Sequence, residues 1–318
     1  MKILTYILIF GLLISQSACD SSPLNPSEDN AINPDNLLEI IQEVRFICYN
    51  PTQFDPNPNH QIIPTKESIR IDLEVLHPYF DGLITYGLNE GLEQIPAIAE
   101  EMEYRAMVLG IWDIQSETEV NKAIHLAKEH PKLIVAICCG NEGLIMNRYD
   151  FQTLETVMNQ IRQLLPSIYV VTSEPIHDYG NDDLMRLGDF HFPIIHPFFS
   201  GVDKSNPVAA ADWVFGRVEA LRSYSQKPIL VKESGLPSAG HPDCSPQRQA
   251  TFWRTLFSKG TGTPNVGYAT FEAFDLPWKA RDTGTDIEGH WGFWDANRQP
   301  KPVVDALKKI RTGNNISK

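Results

Sequence analysis

Positive charge is in short supply in this chain. Against 40 Asp and Glu stand 27 Lys and Arg, a formal net charge of −13 over 318 residues. The resulting field repels polyanions, so nucleic acid is excluded as an expected partner. Cysteine is scarce, five in all, and no C-x-x-C pair occurs, so the usual zinc spacings are missing. H-E-x-x-H and G-x-S-x-G are absent, and no G-x-G-x-x-G or Walker-type glycine loop follows the first apolar run. Metal-dependent hydrolysis, serine hydrolysis and nucleotide binding therefore lack local support, and neither a metal nor an organic cofactor is expected.

Long apolar runs are missing too. The N-terminal run over residues 3–14 is broken by Thr5 and Tyr6 and is too short to cross roughly 30 Å of hydrocarbon with ease. Preceded by Lys2 and followed by small residues, it reads as an export signal over residues 1–18. Ala18-Cys19 resembles the bacterial lipoprotein signal, in which cleavage before Cys exposes a thiol for lipid; Ser17 and Ala18 suit that pattern and Gln16 departs from it. The expectation is an exported protein, anchored at the cell envelope through Cys19 and touching a membrane in no other way. Residues 19–37, dominated by Ser, Pro, Asn and Asp, have little to bury and are expected to be a flexible tether. Residues 38–318 then form one folded domain. Cys138 and Cys139, adjacent in an apolar run, point to opposite faces and read as core fillers rather than disulfide partners.

What is present is a soluble globular composition, 42% hydrophobic and 21% charged. Apolar runs at 44–48, 82–86, 107–112, 134–138, 169–172, 192–195, 229–231 and 266–271 are mostly separated by helical patterns. Ile69, Leu73 and Leu76 make one stripe, and Leu154, Val157, Met158, Ile161 and Leu165 make the clearest. Ser116 and Glu119 stand in capping-box spacing before Val120 and Ile124. Eight strand–helix units predict an α/β fold, a single-domain (β/α)₈ barrel, with a doubly wound open sheet as the runner-up.

Two of the runs end alike. Residues 133–139 lead into Gly140-Asn141-Glu142-Gly143, and residues 228–231 lead into Lys232-Glu233-Ser234-Gly235. In a parallel barrel the carboxyl ends of all strands open onto one face, so Glu142 and Glu233 are expected to converge there. A facing pair of carboxylates is the minimum equipment for glycoside hydrolysis, and Asn141 beside the first could donate to a sugar 2-hydroxyl.

Cys139-Gly140-Asn141-Glu142, Glu233-Ser234-Gly235-Leu236-Pro237-Ser238, Phe271-Glu272-Ala273-Phe274-Asp275-Leu276-Pro277-Trp278-Lys279 and Glu288-Gly289-His290-Trp291-Gly292-Phe293 together resemble glycoside hydrolase family 17. The likeness begins near Cys48-Tyr49, takes in His196-Pro197-Phe198-Phe199 and runs to Trp294. It implies a (β/α)₈ barrel that cleaves β-1,3-glucans with retention, Glu142 serving as acid/base and Glu233 as nucleophile. Retention asks for carboxyls roughly 5–5.5 Å apart. The implied partner is a laminarin-like β-1,3-glucan and the implied activity an endo-β-1,3-glucanase. A transglycosylase is the close alternative, and a glycan-binding protein without catalysis the remote one.

Aromatic rings at strand ends are expected to stack on glucose: Tyr49, Tyr86, Trp112, Phe274, Trp278 and Trp291, with core packing as the alternative for Phe274 and Trp112. Asp275, Lys279 and Glu288 match polar positions of the family's last motifs, and Glu174 and His196 end the fifth and sixth runs; all five are candidates for sugar hydroxyls, with a structural ion pair or a satisfied hydrogen bond as the alternative for each. Leu236, Leu276 and Ile84 depart from the residues common in the family, so subsite preference is less securely implied than the reaction.

Overall fold

The structure is a computed structural model that describes residues 34–307. The export signal, Cys19 and the expected tether as far as residue 33 lie outside the described residues. The first helix, α1 (Pro34–Glu43), begins inside the stretch expected to be tether.

Strands β1 (Phe46–Cys48), β2 (Gly82–Ile84), β3 (Ala106–Ile111), β4 (Ile134–Asn141) and β5 (Tyr169–Ser173) pair in that order, all parallel. Strands β6 (Ile229–Val231) and β7 (Val266–Tyr268) form a second parallel pair. Nearly every strand residue is buried, as a sheet covered on both faces requires.

The sixth expected run, 192–195, is not a regular strand. Pro193 has no amide to give to a ladder, and the segment is stitched in by single bridges instead: Ile194 to Pro175 and to Glu233, His191 to Ile229. Leu230 N donates to His191 O at 2.9 Å, and Ile195 N donates to Glu233 O at 2.8 Å. After β7, Thr270 bridges Ile47, with Cys48 N donating to Thr270 O at 2.9 Å. The eight parallel segments thus close into a ring, and the open-sheet alternative falls.

Around them run α2 (Lys66–Leu76), α3 (Ile95–Glu101), α4 (Glu117–Glu129), α5 (Phe151–Leu164), α6 (Asp182–Leu187), α7 (Pro207–Tyr224), α8 (Pro246–Gly260) and α9 (Pro277–Thr283). Local chemistry sets their starts. Ser116 accepts from Glu119 N ahead of α4, and Asp150 accepts from Thr153 N ahead of α5, each satisfying an amide the helix leaves free. Leu154, Met158 and Ile161, one face of α5, are buried. Cys48, Cys138 and Cys139 are free thiols within the core. Among the described residues, no helix is long and apolar enough to cross a membrane.

Candidate active site

Glu142 follows β4 on a loop that sequence makes tight. Gly140 sits at φ +75°, and a Cβ there would lie 1.8 Å from Tyr149 Oη; one on Gly143 would lie 2.0 Å from Tyr149 Cζ. Only glycine lets Tyr149 pack beneath the loop at both points. Glu142 itself adopts φ +53°, a left-handed conformation that costs a side-chain-bearing residue roughly 1–2 kcal/mol. The surroundings hold it there. Glu142 N donates to Ser173 O at 2.8 Å, Met146 N to Glu142 O at 3.0 Å, and Leu144 N to Glu174 Oε1 at 3.1 Å. The Arg148 guanidinium donates to Asn141 O and, at 2.9 Å, to Trp112 O.

Glu233 ends the β6 segment, 4% exposed. Tyr86 Oη donates to its Oε1 at 2.9 Å, His196 Nε2 lies 3.3 Å from Oε2, and Lys232 Nζ stands 3.6 Å from Oε1. Burial pushes this carboxyl up, but the His196 hydrogen bond and the charges of Lys232 and Lys279 outweigh it and hold Glu233 at about 2. Glu142 moves the other way: burial, then the charge of Glu233, pushes it above its usual 4.5. The two carboxyls therefore feel one another at the mouth of the barrel, one biased to keep its proton and the other to stay charged.

Several residues singled out by sequence gather around this pair. Asn141 Oδ1 accepts from Lys232 Nζ. Lys279 is paired with Glu272 at 2.6 Å, and its ammonium lies 5.9 Å from the centres of both the Tyr86 and the Trp278 ring. Trp278 is half-buried, edge-on to Phe54. Glu288 is close enough for its charge to raise both Glu142 and Glu272. Trp112 is 49% exposed, with Arg148 stacked 4.1 Å above its ring.

Others do not present themselves to a sugar, and here the expectation is corrected. Tyr49 is fully buried, its hydroxyl donating to Asp72 Oδ2 at 3.0 Å, and Phe274 packs against its edge. Trp291, 1% exposed, lies against His196 and Phe271. None of the three has a free ring face on which glucose could stack. Asp275 accepts from Lys301 Nζ at 2.6 Å and from Gly292 N at 3.0 Å, which makes it a buried structural pair. Glu174, with no exposure, clamps the loop that carries Glu142; burial pushes it up to about 7, against the pull of the loop amides of Leu144 and Ile145.

Two further residues belong to the site. Glu272, 1% exposed, is pushed up to about 7 by burial, with Lys279 opposing and Glu233 adding to the shift. Lys232, also 1% exposed, bridges Asn141 and Glu233. A signal for Lys232 exists in the sequence: a lysine inside an apolar strand run must find buried partners. Among the described residues, no group of three or more His, Cys, Asp or Glu is placed to hold a metal ion.

A parallel α/β barrel with a split pair of carboxyls at the carboxyl ends of its strands is the arrangement of a glycoside hydrolase. The description BtgE/BtgC glycoside hydrolase domain matches residues 47–292, and the chain belongs to that family. It is similar to a putative glucan endo-1,3-β-glucosidase, btgC, of Aspergillus niger, 25% identical over 279 residues that cover 77% of this chain and 40% of that protein. The chain thus spans about 40% of the length of that relative. An endo-laminarinase from Formosa Hel1_33_131 superposes with a TM-score of 0.72 at 18% identity, covering 90% of this chain and 91% of that one. An active-site mutant of Rhizomucor miehei β-1,3-glucanosyltransferase in complex with laminaritriose gives 0.69 at 23% identity, covering 82% and 96%.

Proposed function

We propose that the protein hydrolyses β-1,3-glucosidic bonds of laminarin-like glucans by double displacement. The observation that carries this reading is the opposed bias of two coupled carboxyls, Glu142 toward protonation and Glu233 toward charge. Glu233 attacks the anomeric carbon while Glu142 gives its proton to the departing glycosidic oxygen. Glu142, now a carboxylate, takes a proton from water, and that water displaces Glu233 from the sugar. The substrate comes from the names of the Aspergillus relative and the Formosa neighbour. Incubation with laminarin, mixed-linkage glucan and cellulose, followed by sizing of released sugars, should show cleavage of laminarin foremost. Release from cellulose alone would overturn the substrate.

Transfer to a second sugar is favoured by one feature. The half-exposed Trp112 ring is tied through Arg148 to the backbone of Asn141, beside the acid, where a leaving group departs and an acceptor arrives. The Rhizomucor miehei neighbour is a glucanosyltransferase by name. Products longer than the substrate at high oligosaccharide concentration would mark transfer. We also propose export and lipidation at Cys19, supported by the N-terminal sequence; Cys19→Ala should then release the protein from the membrane fraction.

A further inference from the structure

Lys232 lies sealed beneath the cleft with three kinds of partner. Its ammonium donates to Asn141 Oδ1, stands 3.6 Å from Glu233 Oε1, and lies 4.3 Å from the Tyr86 ring centre and 5.7 Å from that of Phe192. An ammonium is costly to bury unless acceptors and opposite charge surround it. A core lysine in this place is therefore held by the site, and the site in turn by it.

The pairing with Asn141 fixes a direction. The two ends of a side-chain amide have the same shape and opposite hydrogen-bonding character, and a lysine ammonium can only donate. Asn141 must turn its oxygen toward Lys232, which leaves Nδ2 on the other side. Among the described residues Asn141 Nδ2 donates to no protein group, so it is free to meet a substrate hydroxyl. Around Glu233 the other titratable groups are Tyr86, His196 and Lys279, with Glu142, Glu272 and Cys48 as further neighbours. Among the described residues, none of these is hydrogen-bonded to the Asn141 side chain, whereas Lys232 is.

We propose that Lys232 is a positioning residue for both halves of the site: it locks the Asn141 amide with its donor end toward the cleft and sets a fixed positive charge against the Glu233 carboxylate. This rests on the glycosidase reading above. The experiment measures laminarin hydrolysis against pH for the native protein, Lys232→Met, Asn141→Ala and the double variant, with circular dichroism as the check of folding. Lys232→Met should lower kcat/KM about 10²-fold, as loss of a preorganised charge does, and move the acid limb up by about one pH unit or more. Asn141→Ala should cost about tenfold or more in the native background and under about threefold in Lys232→Met, because the amide is already unfixed there. Lys232→Arg, which keeps the charge and the donors, should regain most of the loss. Where Lys232→Met does not fold, Lys232→Leu, which likewise removes both the donor and the charge, carries the same two readouts. An unmoved acid limb, or an Asn141→Ala penalty equal in both backgrounds, overturns the proposal. Failure of the glycosidase reading looks different, since the native protein itself would then leave laminarin uncut.

Discussion

The two halves of the cleft are built on opposite principles. On the side of the proposed acid, the Glu142 carboxyl makes no side-chain hydrogen bond among the described residues, and its place is set by the backbone of a strained loop. On the side of the proposed nucleophile, Glu233 stands at a strand end, bridged to Ile194, and side chains grip it from Tyr86, His196 and Lys232. Desolvation governs the first carboxyl; hydrogen bonds and charge overcome desolvation at the second. An acid needs a poorly solvated proton and a nucleophile needs a held charge, so the same residue type acquires two behaviours from two kinds of support.

The largest test of this contrast is to remove each carboxyl in turn. Glu233→Ala should lower turnover on every glucoside by about 10⁵-fold or more, since no covalent adduct can form. Glu142→Ala should cost about 10²–10⁴-fold on laminarin, but little in the first step on a dinitrophenyl glycoside, whose leaving group needs no proton. Azide should restore the second step and give a glycosyl azide. Equal losses of Glu142→Ala on both substrates would break the comparison, because the acid would then be supporting more than proton transfer.

Next in size is the clamp under the acid loop. Glu174→Leu removes the acceptor for Leu144 N and should cost about 10–10²-fold in kcat on laminarin with KM little changed, since misplacement of an acid by a fraction of an ångström is felt mainly in the transition state. Glu174→Gln keeps an acceptor oxygen and should stay within about threefold, because the hydrogen bond to the loop can be remade. A rise in KM as the main effect would return Glu174 to the substrate contacts that sequence suggested.

The course of the chain through the barrel was legible in sequence because burial on both faces writes strands as unbroken apolar runs. The sixth run, with Pro193 inside it, was legible in place though not in regularity. Both acidic loops could be found as well, since a carboxylate between an apolar run and a glycine has few places to go in a parallel barrel. What could not be read was which aromatic faces outward. Tyr49, Phe274 and Trp291 end strands or motifs just as Tyr86 does, but their partners Asp72, Trp294 and His196 belong to other segments of the fold. Glu174 posed the same problem, because its partner is a backbone amide of another loop, and no sequence pattern marks a loop amide as needing a carboxylate.

A smaller effect concerns pH and stability. Glu174 on the acid side and Glu272 on the nucleophile side are both moved from their usual 4.5 to about 7, by burial in each case. Between those values the folded chain binds more protons than the unfolded one, so stability falls as pH rises through the window. Thermal melting of the native protein should therefore drop between pH 5 and pH 8. Glu174→Gln and Glu272→Gln should each flatten that slope, and together flatten it further. A melting temperature that climbs over the same range would show that these groups ionise readily and that the two halves differ less than their burial suggests.

The smallest effect separates the loop from the helix behind it. Asp150 caps α5 immediately after the acid loop, accepting from Thr153 N at 2.8 Å. Asp150→Ala should lower the melting temperature slightly, as the loss of such a cap does. If the loop is held as described, by Glu174, the Ser173 carbonyl and Arg148, none of those ties passes through the cap, and kcat at a temperature well below melting should be unchanged. A parallel loss of kcat and stability would mean that the left-handed conformation of Glu142 depends on where α5 begins, and the acid side would then owe its geometry to the helix layer rather than to the clamp beneath the loop.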